Sequence, residues 1–241
     1  MIEVENLTKQ FGASGQTVLA VDGISFRCHP GRVYGLLGAN GAGKTTTLRI
    51  LATLLEPTGG AVRVAGYDVR CDPAAVRSNI GFLSASTALY SRLTAREMTE
   101  YFGNLHGMDG APLKRRVEQV FERLEIDFGE RRCDTLSTGM KQKVSIARTL
   151  IHDPPVMIFD EPTLGLDVMT ARTIVGFIRE CRTNGKTVIF STHVMSEAEK
   201  LCDMIGIINR GRLLAEGSLD ELRSRYRQSD LEEIFVSAVE A

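Results

Sequence analysis

Gly38-Ala39-Asn40-Gly41-Ala42-Gly43-Lys44-Thr45 separates an apolar run, Val33 to Leu37, from a helix-like segment, Thr45 to Leu55. Strand, glycine-rich loop and helix in that order form a P-loop. Its glycines let the main chain approach a polyphosphate without Cβ interference, and the helix behind them presents unpaired N–H groups that favour negative charge. Lys44 is placed to reach the β- and γ-phosphates, and the Thr45 hydroxyl to ligate magnesium. A plain glycine-rich turn before a core helix is the alternative, but it does not account for Lys44 and Thr45 standing at the two required positions.

A P-loop alone admits GTPases, kinases and ATPases. The next discriminating segment is Val156-Met157-Ile158-Phe159-Asp160-Glu161, an apolar run ending in two carboxylates. This is the pattern of a buried parallel strand delivering acids to the ligand-binding end of a sheet. Asp160 is expected to hold magnesium, directly or through water, and Glu161 to polarise the attacking water. One carboxylate is occupied by the metal, so a second must handle the proton.

Leu136-Ser137-Thr138-Gly139-Met140-Lys141-Gln142 lies between these sites and opens a segment with Val144, Ile146, Ala147, Leu150 and Ile151 in helical spacing. Ser137 offers a hydroxyl, Gly139 permits close backbone approach, and a helix start favours an anion. By itself Ser137 reads equally as an ordinary helix cap. With the two sites above, however, the chain resembles the ATP-binding subunit of an ABC transporter over nearly its whole length, with the motifs in the family's order.

The resemblance implies an α/β, P-loop NTPase fold: a RecA-like, mostly parallel sheet with an N-terminal antiparallel β subdomain and an inserted α-helical subdomain. It implies ATP contacts from Phe11, stacked on adenine, from Gly38, Asn40, Gly41, Ala42, Gly43, Lys44, Thr45 and Thr46, and from Ser137 and Gly139 acting on ATP held by an opposite subunit. Pro162-Thr163-Leu164-Gly165-Leu166-Asp167 resembles the family's D-loop, in which Asp167 faces the neighbouring subunit. Ser191-Thr192-His193 matches the switch histidine, and His193 at a strand end is placed to hold the γ-phosphate, Glu161 and water in line. Phe11 has a simpler alternative, packing beneath the N-terminal strands. The implied cofactors are ATP and Mg2+, with Thr45 and Asp160 as metal ligands. The implied partners are an integral membrane permease and a second nucleotide-binding subunit, identical or not.

Composition limits the remaining possibilities. The chain has 241 residues, enough for one sizeable α/β domain, and a formal net charge of −1, which gives no electrostatic case for a large nucleic-acid footprint. The longest apolar stretch, about Val33 to Ala39, falls far short of the ~20 residues a spanning helix needs. The N-terminus reads directly as a strand without a basic leader. Together with the resemblance, this implies a cytoplasmic protein, peripheral on the inner face of the membrane through its permease partner. Cys28, Cys71, Cys133, Cys181 and Cys202 are scattered and read as free thiols.

Hydrophobic patterning divides a single domain, residues 1–241. Strands Met1 to Leu7 and Val18 to Arg27 suggest the antiparallel sheet. The nucleotide-binding core, counted with that sheet, covers 1–84 and 156–218, including strands around Ala61 to Val64 and Ile80 to Leu83. Residues 85–155 read as helical: Thr94 caps Ala95 to Leu105, a loop runs from Gly107 to Pro112, and a helix follows from Leu113 to Leu124. Residues 219–241 read as two short helices with Leu231, Ile234, Phe235 and Ala238 on one face, suited to core packing.

Two departures from the family pattern stand out. The signature reads Ser-Thr-Gly-Met for the common Ser-Gly-Gly-Gln, and Ala85, in Phe82-Leu83-Ser84-Ala85-Ser86, replaces a glutamine that contacts magnesium and water. Ser84 or Ser86 then becomes a candidate substitute, or an extra water completes the shell. The segment Ala88 to Glu97 resembles the sodium- and drug-export branch of bacterial ABC ATPases, some of which also lack the glutamine. Two other readings stay open at this stage. One is a soluble ABC-type ATPase acting on ribosomes or DNA, and the other is an ATP-sensing module with little turnover.

Overall fold

The computed structural model describes residues 1–12, 17–84 and 88–240. The chain begins with β1 (Ile2–Phe11), β2 (Val18–Cys28) and β3 (Val33–Leu37), followed by the P-loop and α1 (Lys44–Leu51). Next come β4 (Gly59–Val64), β5 (Tyr67–Asp68), α2 (Pro73–Ser78) and β6 (Ile80–Ser84). Three helices follow: α3 (Ala95–Leu105), α4 (Gly110–Arg123) and α5 (Thr138–Leu150). The rest alternates as β7 (Val156–Asp160), α6 (Val168–Thr183), β8 (Thr187–Thr192), α7 (Met195–Leu201), β9 (Met204–Asn209), β10 (Arg212–Gly217), α8 (Leu219–Tyr226) and α9 (Leu231–Glu240).

Two sheets result. The larger has order β10-β9-β3-β8-β7-β6, parallel except for β10 at one edge. Its central strands β3, β7 and β8 are buried throughout, which explains their near-continuous apolar sequences. Alternate residues still divide between two cores. Met157, Phe159, Val188 and Phe190 meet Met98, Val117, Phe121, Val144 and Ile178 of the helices on one side. Ile158, Ile189 and Leu36 meet Leu48 and Leu51 of α1 on the other, together with Ile2, Val4, Ile24 and Val62 of the smaller sheet. A third cluster seats Leu231, Ile234 and Ala238 of α9 against Leu37, Ile205 and Ile207, with Phe235 partly buried at its margin.

The smaller sheet is antiparallel, in the order β2-β1-β4-β5. Here the structure corrects one expectation. The strand around Ala61 to Val64, assigned to the nucleotide-binding core's main run, pairs antiparallel with β1, Val62 opposite Val4. Only long-range pairing selects that sheet. Two helix limits also move. The P-loop helix stops at Leu51 instead of Leu55, because Thr53 turns into left-handed backbone at φ 58° and Leu54 N–H bonds back to Arg49 O at 2.8 Å. The helix expected from Leu113 starts at Gly110, since Pro112 falls in the first turn, where its missing N–H has no helical acceptor to lose. The Thr94 start is as read: its hydroxyl accepts Glu97 N–H at 3.1 Å while Glu97 Oε2 accepts Thr94 N–H at 2.8 Å.

Candidate functional site

The P-loop leaves the end of β3 and turns tightly against its neighbours. A Cβ at Gly38 would collide with the Ile208 carbonyl oxygen, and one at Gly43, where φ is 108°, would lie 2.6 Å from Ala20 O. These two glycines are therefore required for packing on β9 and β2 as well as for exposing main chain. Lys44 is only 4% exposed. Its ammonium donates to Gly38 O at 2.7 Å and Ala39 O at 3.1 Å, and lies 3.2 Å from Glu161 Oε1. Three partners match its three donors.

Asp160 closes β7 beside α1. Thr45 Oγ1 donates to Asp160 Oδ1 at 3.0 Å, and Ser191 Oγ donates to the same oxygen at 2.8 Å. Glu161 follows with φ 46°, an unusual conformation for a residue with a side chain. Its N–H is held by Ser191 Oγ at 3.0 Å and Ser191 O at 3.2 Å. His193 Nδ1 approaches Glu161 Oε2 to 3.3 Å and has no aligned hydrogen bond among the described residues. Thr192 sets the turn that delivers it, accepting Val194 N–H and donating to Glu197 Oε2, each at 3.0 Å.

The cavity over these groups is small, about 150 Å³, and is lined by Ala20, Asn40, Gly41, Gly43, Lys44, Thr45, Thr46 and Glu161. A groove of about 600 Å³ elsewhere, walled by Leu54, Phe82, Phe102 and Leu105, is larger. It lacks a facing lysine and acid pair, so the smaller cavity carries the chemistry.

The structure thus brings together Lys44, Thr45, Asp160, Glu161 and His193. Ser137 and Asp167 lie apart, each capping a helix. Ser137 Oγ accepts Met140 N–H at 3.3 Å, and Asp167 Oδ1 accepts Met169 and Thr170 N–H at 2.9 and 3.0 Å. The Thr170 hydroxyl bond, followed by these backbone bonds, holds the Asp167 carboxyl below its ordinary range. Thr170 also joins the two turns, since its hydroxyl donates to Asp167 Oδ2 at 2.7 Å and stands 3.1 Å from where a Gly139 Cβ would be. Phe11 is 40% exposed at the end of β1, with Lys9 Nζ 5.0 Å from its ring centre, so it does not pack beneath the strands. Its register partner is Val18, two residues from Ala20 in the cavity wall. Ala42 is buried in the loop, and Ala85 and Ser86 lie outside the described residues. Sequence reasoning gave no separate role to Ser191. The available signal was a serine directly following the apolar run Val188 to Phe190.

A buried P-loop lysine facing a paired Asp-Glu at the carboxyl end of a parallel sheet defines a P-loop nucleotide hydrolase. The chain belongs to the ABC transporter family, whose sequence pattern matches residues 21–164, and it is an ATP-binding, ATP-hydrolysing subunit of that family. It is 42% identical to the ABC transporter ATP-binding protein NatA of Bacillus subtilis, across 98% of this chain and 97% of that one. It is 39% identical to the Nod factor export ATP-binding protein I of Paraburkholderia xenovorans, across 97% of this chain and 76% of that one. Among solved structures it resembles a dimeric ATP-binding cassette in a post-hydrolysis state with ADP and Pi, with a TM-score of 0.82 and 27% identity over 90% of this chain and 98% of that one. Among the described residues no helix is long and apolar enough to cross a membrane.

Proposed function

We propose that this subunit hydrolyses magnesium-ATP within a head-to-tail dimer and drives export of an ion such as sodium, a drug or another small solute through a separate membrane permease, which holds it at the cytoplasmic face. The convergence of Lys44, Glu161 and the Thr45–Asp160 pair in one small cavity carries the catalytic part of this reading. Kinship to an export protein supports the direction of transport, and a dimeric neighbour supports the assembly.

In this reading the P-loop N–H groups and Lys44 hold the phosphates, and ATP displaces Glu161 from the ammonium. Glu161 then accepts a proton from the water that attacks the γ-phosphorus, with His193 keeping the carboxylate in line. Thr45 and Asp160 present hard oxygens within 3.0 Å of each other, a donor set that fits magnesium. Magnesium held by Thr45 and Asp160 would supply positive charge to offset that of the phosphate oxygens. Ser137 and Gly139 act on ATP held by the other subunit, Asp167 lies at the contact between subunits, and Phe11 stacks on adenine. Residues 1–84 and 156–218 form the nucleotide-binding unit, 85–155 the helical unit and 219–241 a C-terminal cover.

Steady-state ATPase assay of the purified chain, joined to affinity capture from its native membrane, tests the whole proposal. Turnover together with a co-purifying integral membrane protein is the expected result. Turnover with ribosomes or DNA as the captured partner would replace the transport part of the reading.

A further inference from the structure

Ser191 is fully buried, at 0% exposure, and directly follows the apolar run of β8. In the parallel register it stands beside Asp160 on one side and Leu36 on the other. A buried hydroxyl needs partners, and this one finds both in the acid pair. Its proton goes to Asp160 Oδ1 at 2.8 Å and its oxygen receives Glu161 N–H at 3.0 Å. Asp160 Oδ1 is also the atom that accepts Thr45 Oγ1. One side chain on a neighbouring strand therefore helps to hold both the rotation of the first carboxylate, with Thr45, and the left-handed turn at φ 46° that aims the second, with its own carbonyl.

We propose that Ser191 is a positioning residue for metal-dependent hydrolysis. Through Asp160 it sets the oxygen that faces Thr45, and through the Glu161 main chain it sets where the general base points. The inference rests on the magnesium-ATPase reading. Ser191 is buried behind the acid pair and is not among the residues lining the cavity, so its effect is indirect, as with groups that orient metal-binding side chains elsewhere. Without the hydroxyl, Asp160 Oδ1 would keep only the Thr45 hydroxyl as its donor, the group expected to turn to the metal, while the Ser191 carbonyl would still hold Glu161 N–H at 3.2 Å.

The test compares Ser191→Ala, Ser191→Cys and Ser191→Thr in the full chain. Three quantities are measured: affinity for a fluorescent ATP analogue in magnesium and in EDTA, the magnesium concentration giving half-maximal turnover, and kcat against KM for ATP. In EDTA all three variants should match the wild type, because Lys44 and the P-loop bind without Ser191. In magnesium, the Ala and Cys variants should need about ten-fold more metal and lose about ten-fold in kcat, with KM for ATP at saturating metal little changed and Thr restoring both. Equal losses in EDTA and magnesium, an unchanged metal requirement, or a Thr variant as impaired as Ala would each overturn the assignment. If the Ala variant does not fold, the Cys variant, close to serine in size but a weak donor, gives the same reading. Should the wild type show no turnover, the hydrolysis reading falls, and the magnesium concentration that half-maximally changes binding of the fluorescent analogue, expected about ten-fold higher in the Ala and Cys variants and unshifted if Ser191 has no such role, still decides the assignment.

Discussion

Lys44 Nζ and Glu161 Oε1 stand 3.2 Å apart, their side chains only 3% and 15% exposed, so the cation of the phosphate cradle and the second carboxylate of the acid pair are ion-paired across the cavity. Phosphate and Glu161 are thus alternative partners for one ammonium. Glu161→Gln weakens the competitor and removes the base together. It should bind ATP at least as tightly as the wild type, turn over about 10²–10⁴-fold more slowly, and accumulate as an ATP-dependent dimer by size exclusion. An active, monomeric variant would remove Glu161 from the chemistry.

Among the described residues Ser137 makes no hydrogen bond to the P-loop of its own chain; its oxygen accepts Met140 N–H. If it completes a second subunit's site, mixing Ser137→Arg with Lys44→Ala leaves one intact site per heterodimer. ATP-induced association should then recover in part over either variant alone. A helix cap and nothing more would give no recovery on mixing, only a loss of stability of about 1 kcal/mol in Ser137→Arg.

Phe11 is 40% exposed at the end of β1, so truncating it costs less than removing a core ring. Phe11→Ala should lower the melting temperature by less than truncation of a fully buried phenylalanine such as Phe159. It should weaken ATP binding about 2- to 10-fold, the scale of one ring-stacking contact, and Phe11→Trp should retain affinity. Isothermal titration calorimetry reads both, and unchanged affinity in Phe11→Ala would dismiss adenine stacking.

His152 lies face to face with His106, ring centres 3.5 Å apart, and its Nε2 bonds Ile80 O at 3.0 Å. Burial first, then the neighbouring His106, lowers its pKa from 6.5 to about 4. The unfolded chain therefore takes up a proton over a pH range in which the folded chain does not. The contribution of His152 to stability is complete above pH 6.5 and is lost progressively as pH falls to about 4. Urea unfolding between pH 7.5 and 4.5 should show His152→Gln losing less stability on acidification than the wild type. Parallel pH profiles would show that the histidine is not held neutral.

Local order along the chain carried much of this molecule. The P-loop was readable because its glycines, Lys44 and Thr45 are contiguous, and their geometry follows from the strand and helix that flank them. The acid pair was readable because an apolar strand ending in Asp160-Glu161 puts both carboxylates at the same sheet edge. The cap at Thr94 likewise depends on a residue only three positions on, Glu97.

Contacts between distant segments decided the rest. Nothing near Ala61 specifies that its strand joins β1 instead of the parallel sheet, and nothing near Ser191 specifies Asp160 as its neighbour, 31 residues away. The Lys44–Glu161 pair is likewise created by strand order, which sets β8 between β3 and β7 and brings their carboxyl ends to one cavity. By itself the sequence determined which chemical groups the protein possesses and the local turns that present them. Only tertiary structure decided which groups share an oxygen or a charge, because register and strand order arise from burial of two sheets and three apolar clusters at once, a condition that no short segment satisfies alone.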